Sequence, residues 1–245
     1  MSKAAQQPSL GDIAVVLPTK NEAANIEGFL ASLPPEVLLV VVDASSDDTV
    51  ARIRSLRPRN TLVVEELLDI PRARERGASL ARRDWLLFTD ADIAFAPDYF
   101  ERLLARRFAT DLGGLFGRKL AGDRYRLYDW IFGAGQRVCS WVRIPAASGS
   151  NMLISRLAWI ACGGFDPSLV CNEDSEIMWR VRRAGYRVEF AGELVVHERD
   201  DRRLARGPLR KLAHSLLRCT TLYFDLLPER LRKSDWGYWR TGAKD

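Results

Sequence analysis

Short, mostly apolar runs at 12–17, 37–42, 61–64 and 85–89 predict four strands in the first half of the chain. The run at 37–42 is unbroken, as expected of a parallel strand covered on both faces. Between the runs the period turns helical. Ile26, Phe29, Leu30 and Leu33 share one face, and Pro34-Pro35 stops that helix. Val50, Ile53 and Leu56 mark a second helix, and 74–81 a third. This alternation predicts an α/β fold, with a mostly parallel sheet and helices on both faces.

The second half is less regular. A helix starts near Pro97, and 111–120 reads as a strand. The aromatic-rich segment 125–142 reads as a helix packed on the sheet. Ser148-Gly149-Ser150-Asn151 turns into a strand at 152–154, and Gly163-Gly164-Phe165-Asp166-Pro167 makes another tight turn. Glu173-Asp174 opens a helix through Ile177, Trp179 and Val181 that Gly185 ends, and 188–196 supplies one or two strands. Leu209, Leu212, Ala213, Leu216, Tyr223 and Leu227 then recur at helical spacing, with Arg210, Lys211, His214, Arg218 and Asp225 facing elsewhere.

Composition narrows the class. The 245 residues are 47% hydrophobic and 28% charged, enough for one sizeable domain with an appendage. No apolar run has membrane-spanning length, and the polar start at 1–10 is expected to be a disordered tail on a cytoplasmic protein. The four cysteines lack zinc-finger or redox spacing, and two histidines exclude a mainly histidine zinc site. The net charge of +5 admits nucleic acid, anionic membrane or phosphorylated substrate.

The densest candidate chemistry is Asp90-Ala91-Asp92, at the carboxyl end of the strand at 85–89. Ligands bind at that end of α/β sheets. Two carboxylates there can hold a hard divalent cation that also grips phosphate oxygens; a solvated turn or a helix cap is the alternative. Asp43 emerges at the same end of the sheet. The first strand is followed by neither Gly-x-Gly-x-x-Gly nor a Walker lysine motif, which excludes the standard dinucleotide fold and phosphate-loop NTPases.

Read in order, these signatures resemble the inverting glycosyltransferases of family 2, which have the GT-A fold. The resemblance runs from Ile13 to about His197. It is carried by Val16-Leu17-Pro18-Thr19-Lys20-Asn21-Glu22, Val41-Val42-Asp43-Ala44-Ser45-Ser46-Asp47-Asp48-Thr49, Ala73-Arg74-Glu75-Arg76-Gly77-Ala78, Leu87-Phe88-Thr89-Asp90-Ala91-Asp92, Gly163-Gly164-Phe165-Asp166 and Glu173-Asp174-Ser175-Glu176. Two positions depart from the family pattern. Val42 and Ala44 flank Asp43, and Glu75 stands where an asparagine is usual. The Gln-x-x-Arg-Trp motif of the processive synthases is absent. The polyprenyl-phosphate sugar synthases are similar in the first half only, and sugar-phosphate nucleotidyltransferases need a glycine-rich loop that Pro18–Glu22 lacks.

The resemblance implies single transfer of a sugar from a UDP- or GDP-sugar to a glycan or lipid-linked acceptor, with Mn2+ or Mg2+ as cofactor and no role for nucleic acid. Asp43 would read the base, with Pro18, Thr19 and Glu22 lining the nucleotide pocket. Asp92 would ligate the metal, with Asp90 as the ribose partner or a support behind the ligand, and His197 completing the shell. Arg74 would reach the nucleotide or phosphates; a solvated helix face is its alternative. Asp174 would be the base, its proton affinity raised by Glu173, unless it is only a helix cap. The implied layout is a nucleotide-sugar half at about 11–95, an acceptor half at about 96–200, and a basic, aromatic helical extension at 201–245. That extension joins Arg230, Arg232 and Lys233 to Trp236, Tyr238 and Trp239. It is suited either to peripheral contact with the inner membrane face or to packing on the domain.

Overall fold

The structure is a computed structural model that describes residues 7–169, 171–199 and 208–226. Among these, the strands form one eight-stranded sheet in the order β3-β2-β1-β4-β7-β6-β8-β5. The parallel part is β3 (Thr61–Glu65), β2 (Leu38–Asp43), β1 (Ile13–Thr19) and β4 (Trp85–Phe88). β7 (Met152–Ser155) runs antiparallel to β4 and to β6 (Leu112–Leu120). β8 (Arg187–Glu198) is parallel to β6, and β5 (Ile93–Phe95) closes the edge antiparallel to β8.

Strand alternation divides the core between the two faces. Ile13, Val15 and Leu17 of β1 point to one side, where they meet α1 (Ile26–Ala31), α2 (Thr49–Leu56) and α4 (Tyr99–Ala105) through Phe29, Ile53 and Leu103. Ala14 and Val16 point to the other, toward α3 (Ile70–Leu80), α6 (Arg156–Ala161) and α7 (Glu173–Arg183) through Ala78, Trp159 and Met178. The expected α/β class is therefore met. β5 and α6 are additions to the elements the sequence predicts.

Three expectations need correction. Residues 7–10, assigned to a disordered tail, are anchored. The Gln7 amide donates to the Leu104 carbonyl at 3.0 Å, Ser9 donates to the Asp12 carboxylate, and Leu10 packs on the core. The C-terminal helix α8 (Pro208–Tyr223) docks through Tyr223 of the predicted stripe, but its buried face is turned away from Leu216. Leu222 and Cys219 pack with Leu169 and Trp179, while Leu216 is exposed and Arg218 is buried. Docking on Trp179, whose ring meets Tyr223 at 5.1 Å, fixes that rotation. The long aromatic helix α5 (Arg126–Trp141) packs against β6 and β8 as expected, but leaves Trp130 and Trp141 exposed. Of the basic, aromatic extension, residues 201–207 and 227–245, with Arg230, Arg232, Lys233, Trp236, Tyr238 and Trp239, lie outside the described residues.

Candidate active site

β1, β2 and β4 run parallel, with β1 and β2 ending level at Thr19 and Asp43, so the loops after them share one rim of the sheet. Asp43 is the last residue of β2 and is buried. The Thr19 hydroxyl donates to its Oδ1 at 2.5 Å, and the Ser45 backbone N–H and hydroxyl donate at 2.9 and 2.7 Å. Asp43 therefore does not cap the helix that follows; the Asp47 carboxylate accepts the Thr49 N–H there. Pro18 precedes Thr19 on β1. Glu22 accepts from the Asn25 amide at 2.7 Å and is tied to the second loop by its own N–H, donated to the Thr49 hydroxyl. These residues form a hydrogen-bonded polar corner at the rim.

Arg74 does not lie on a solvated face. Gly77, one turn on, packs α3 so closely on β1 that an added Cβ would meet the Val16 side chain at 2.4 Å. Arg74 is consequently buried at 3% exposure. It donates to Asp90 Oδ1 at 2.9 Å with one nitrogen and pairs with Glu173 through the other. Burial alone would weaken its charge, yet Glu173, Asp90 and Asp174 together hold the guanidinium more firmly protonated than usual.

The two candidate acids of α7 sit on the far side of this arginine. Asn172, in the left-handed region at φ 62°, occupies the N-cap position, so Asp174 lies inside the first turn and is not the cap. Asp174 accepts the Gly149 N–H and the Ser175 N–H, each at 2.7 Å. Burial pushes its carboxyl up, against the pull of Arg74. Glu173 is pushed up to about 7, first by burial and then, despite Arg74, by Asp174 and Asp90. Ser150, beside Gly149, donates to Asp90 Oδ2 at 2.5 Å. Asp90, Arg74, Glu173, Asp174 and residues 149–150 thus form one network joining the rim to α7.

Asp92 is buried at the same rim. His197 is exposed, on the opposite side of β8 from its neighbour Glu198. Among the described residues no three His, Cys, Asp or Glu side chains gather as a metal cluster, so Asp90, Asp92 and His197 are not brought together. Two residues overlooked in the sequence stand here instead. The Lys119 ammonium lies 2.9 Å from Glu198 and 3.4 Å from the Ser150 hydroxyl. Asp92, Glu198 and Asp90 raise its proton affinity, although burial opposes them. Lys119 therefore already places a cation beside Asp92, Glu198 and Asp90, carboxylates of the type a hard divalent ion takes as ligands. No spacing rule joins two charges on different strands; Lys119 falls inside the strand predicted at 111–120, whereas Glu198 lies beyond the one predicted at 188–196.

Glu75 explains one departure from the family pattern. It accepts the Phe165 N–H at 2.8 Å and the Trp159 indole N–H at 3.1 Å. Gly164, at φ 71°, lies against this carboxylate, where an added Cβ would come within 2.4 Å. Glu75 thus fastens the Gly163-Gly164-Phe165 turn to α3, next to Arg74.

A family model described as glycosyl transferase family 2 matches residues 14–158. The chain is 28% identical over 201 residues to the succinoglycan biosynthesis protein ExoA of Rhizobium meliloti (strain 1021), covering 71% of this chain and 59% of that protein. It is 26% identical over 219 residues to a pre-mycofactocin glycosyltransferase of Mycobacterium tuberculosis (strain CDC 1551 / Oshkosh), covering 78% and 43%. The chain spans about half the length of the curated relatives it matches. Among solved structures, the mannosyltransferase PcManGT from Pyrobaculum calidifontis, in complex with GDP-Man and Mn2+, shares the GT-A fold at a TM-score of 0.67 and 22% identity, over 94% of this chain and 69% of that one. The family match covers more than half of the chain and includes Asp43, Arg74, Asp90 and Asp92, so the chain belongs to glycosyl transferase family 2.

Proposed function

We propose that the protein transfers a single sugar, with inversion, from a UDP- or GDP-sugar to the hydroxyl of a glycan or lipid-linked acceptor, in a reaction assisted by Mn2+ or Mg2+. One observation carries the reading: Arg74 touches both Asp90 and Glu173, so the donor rim and the α7 acids are parts of one network.

Asp43 accepts a base N–H, held in aim by Thr19 and Ser45. Asp92, with Asp90 behind it, would hold the divalent ion. When bound, that ion supplies a Lewis acid for the departing diphosphate. Arg74 orients Asp90 and spreads its positive charge along the same rim. Asp174 takes the proton of the acceptor hydroxyl as its oxygen bonds to the anomeric carbon and the carbon–diphosphate oxygen bond breaks. A carboxyl raised by burial is better matched to that task near neutral pH than a solvated aspartate. The mannosyltransferase complex with GDP-Man and Mn2+ supports the donor class and the metal, and the likeness to a succinoglycan biosynthesis protein supports a glycan or lipid-linked acceptor.

A thermal-shift screen of UDP- and GDP-sugars with and without Mn2+ or Mg2+ tests the reading. A donor should stabilise the wild type only with the divalent ion, and Asp92→Ala should lose that dependence. A metal-dependent shift that persists in Asp92→Ala would remove Asp92 from the metal site.

A further inference from the structure

α5 is built inside out. Its buried residues are Asp129 and Gln136, both polar. The Asp129 carboxylate accepts the Ala121 N–H with both oxygens at 3.0 Å, and the Gln136 amide donates to the Ala146 carbonyl at 3.0 Å. Polar tethers therefore hold the helix to the domain. The opposite stripe, Leu127, Trp130, Val138 and Trp141, follows helical spacing and is exposed, Trp130 at 68% and Trp141 at 75%. A continuous aromatic and aliphatic stripe of this size facing water marks an interaction surface.

The charges beside the stripe identify its partner. Arg126 and Arg137 are exposed, each one turn from a tryptophan of the stripe. Arg124 and Arg143 lie exposed just beyond the two ends. Asp129 is the only acid of the helix, and it is buried. A second copy docking through the same patch would bring Arg126 and Arg137 against themselves. The chain's own residues 227–245 are no better matched, with five basic residues against three acids. Tryptophans and leucine flanked by arginines suit a negatively charged lipid surface, where rings enter the interface and guanidinium groups meet phosphates.

We propose that the Leu127–Trp130–Val138–Trp141 face of α5, rimmed by Arg126 and Arg137, docks on an anionic lipid bilayer. The inference stands apart from the chemistry assigned to the site. The chain leaving α5 leads to Gly149 and Ser150, which bond Asp174 and Asp90.

Co-sedimentation of the full chain with vesicles tests the proposal. The protein should pellet with vesicles of mixed phosphatidylglycerol and phosphatidylcholine at low salt, and less in high salt or with phosphatidylcholine alone. Trp130→Ser/Trp141→Ser should weaken binding by about tenfold, since two large apolar side chains lose their partner. Arg126→Gln/Arg137→Gln should weaken it on anionic vesicles only. Neutralising Arg230, Arg232 and Lys233 together should leave most of the binding. Absence of wild-type binding at low salt would overturn the proposal. So would wild-type binding by the tryptophan variant, or complete loss on neutralising the tail. A dimer in sedimentation velocity that the tryptophan variant loses, without vesicle binding by either form, would assign the face to a second copy instead. Should the tryptophan variant not fold, Arg126→Glu/Arg137→Glu must abolish anionic binding for the proposal to stand.

Discussion

Asp43 and Asp174 are both buried carboxylates at one rim of the sheet, yet they are held by different means. Asp43 sits among hydroxyl and backbone N–H donors from Thr19 and Ser45, residues in or next to its own pair of parallel strands. Asp174 sits beside a second acid and a fully enclosed arginine, and Arg74 and Glu173 are 99 residues apart in sequence. A carboxylate that must bind the same way in every turnover is fixed by local hydrogen bonds. Asp174, the proposed base, is placed where burial and, less strongly, Asp90 push its carboxyl up against the pull of Arg74. The contrast predicts that the α7 end of the rim is the more fragile, and that its stability is the more sensitive to pH.

The largest effect is expected at Arg74. Arg74→Met leaves Glu173 and Asp174 buried with no cation between them and Asp90, which should cost about 3–5 kcal/mol of stability. Chemical denaturation of the variant and the wild type measures it. A loss well below that range would mean that the acids relax into water and that the network is not what holds α7 in place.

Glu173 gives the next effect and its sign. Its carboxyl is raised from the ordinary 4.5 to about 7, so the folded protein holds this proton more tightly than the unfolded chain. Its contribution to stability is therefore full below about 4.5 and falls as pH rises through about 7. Glu173→Gln should flatten the profile of melting temperature against pH across that window. An unchanged slope would assign the pH sensitivity to other groups.

Lys119 tests whether the cation already in the acid cluster competes with a metal. Lys119→Met/Glu198→Gln removes that buried pair together and leaves Asp90 and Asp92 in place. Mn2+ affinity of the nucleotide-free protein, read by calorimetric titration, should rise by about tenfold, or about 1.4 kcal/mol. Equal or weaker Mn2+ binding would show that Lys119 supports the site and does not compete for it.

The two halves of the chain differ just as much in what their sequences disclose. β1 to β4 are readable because a parallel strand covered on both faces is apolar throughout, and because their carboxyl ends must carry the polar loops. Asp43, Asp90 and Asp92 follow from that. β5 has three residues, too few to show a period. α6 begins directly after β7 at Ser155, whose hydroxyl accepts the Ala158 N–H, so strand and helix read as one apolar segment. α5 shows the limit of periodicity most plainly. Spacing reveals an apolar stripe but not which way it faces, and here Asp129 and Gln136 decide the direction. His197 was placed by resemblance, and strand alternation sets it on the side of β8 opposite Glu198.

The most direct test of the account is the split between donor binding and turnover in Asp174→Asn. The substitution keeps the shape of the side chain and removes the base, while Asp43, Arg74 and the Asp90–Asp92 rim stay in place. Donor affinity in the presence of Mn2+ should remain within about threefold of wild type, and the transfer rate at saturating donor should fall by about 100-fold or more. Normal turnover at saturation with weakened donor binding would contradict the account, because Asp174 would then belong to the donor pocket and the base would lie elsewhere.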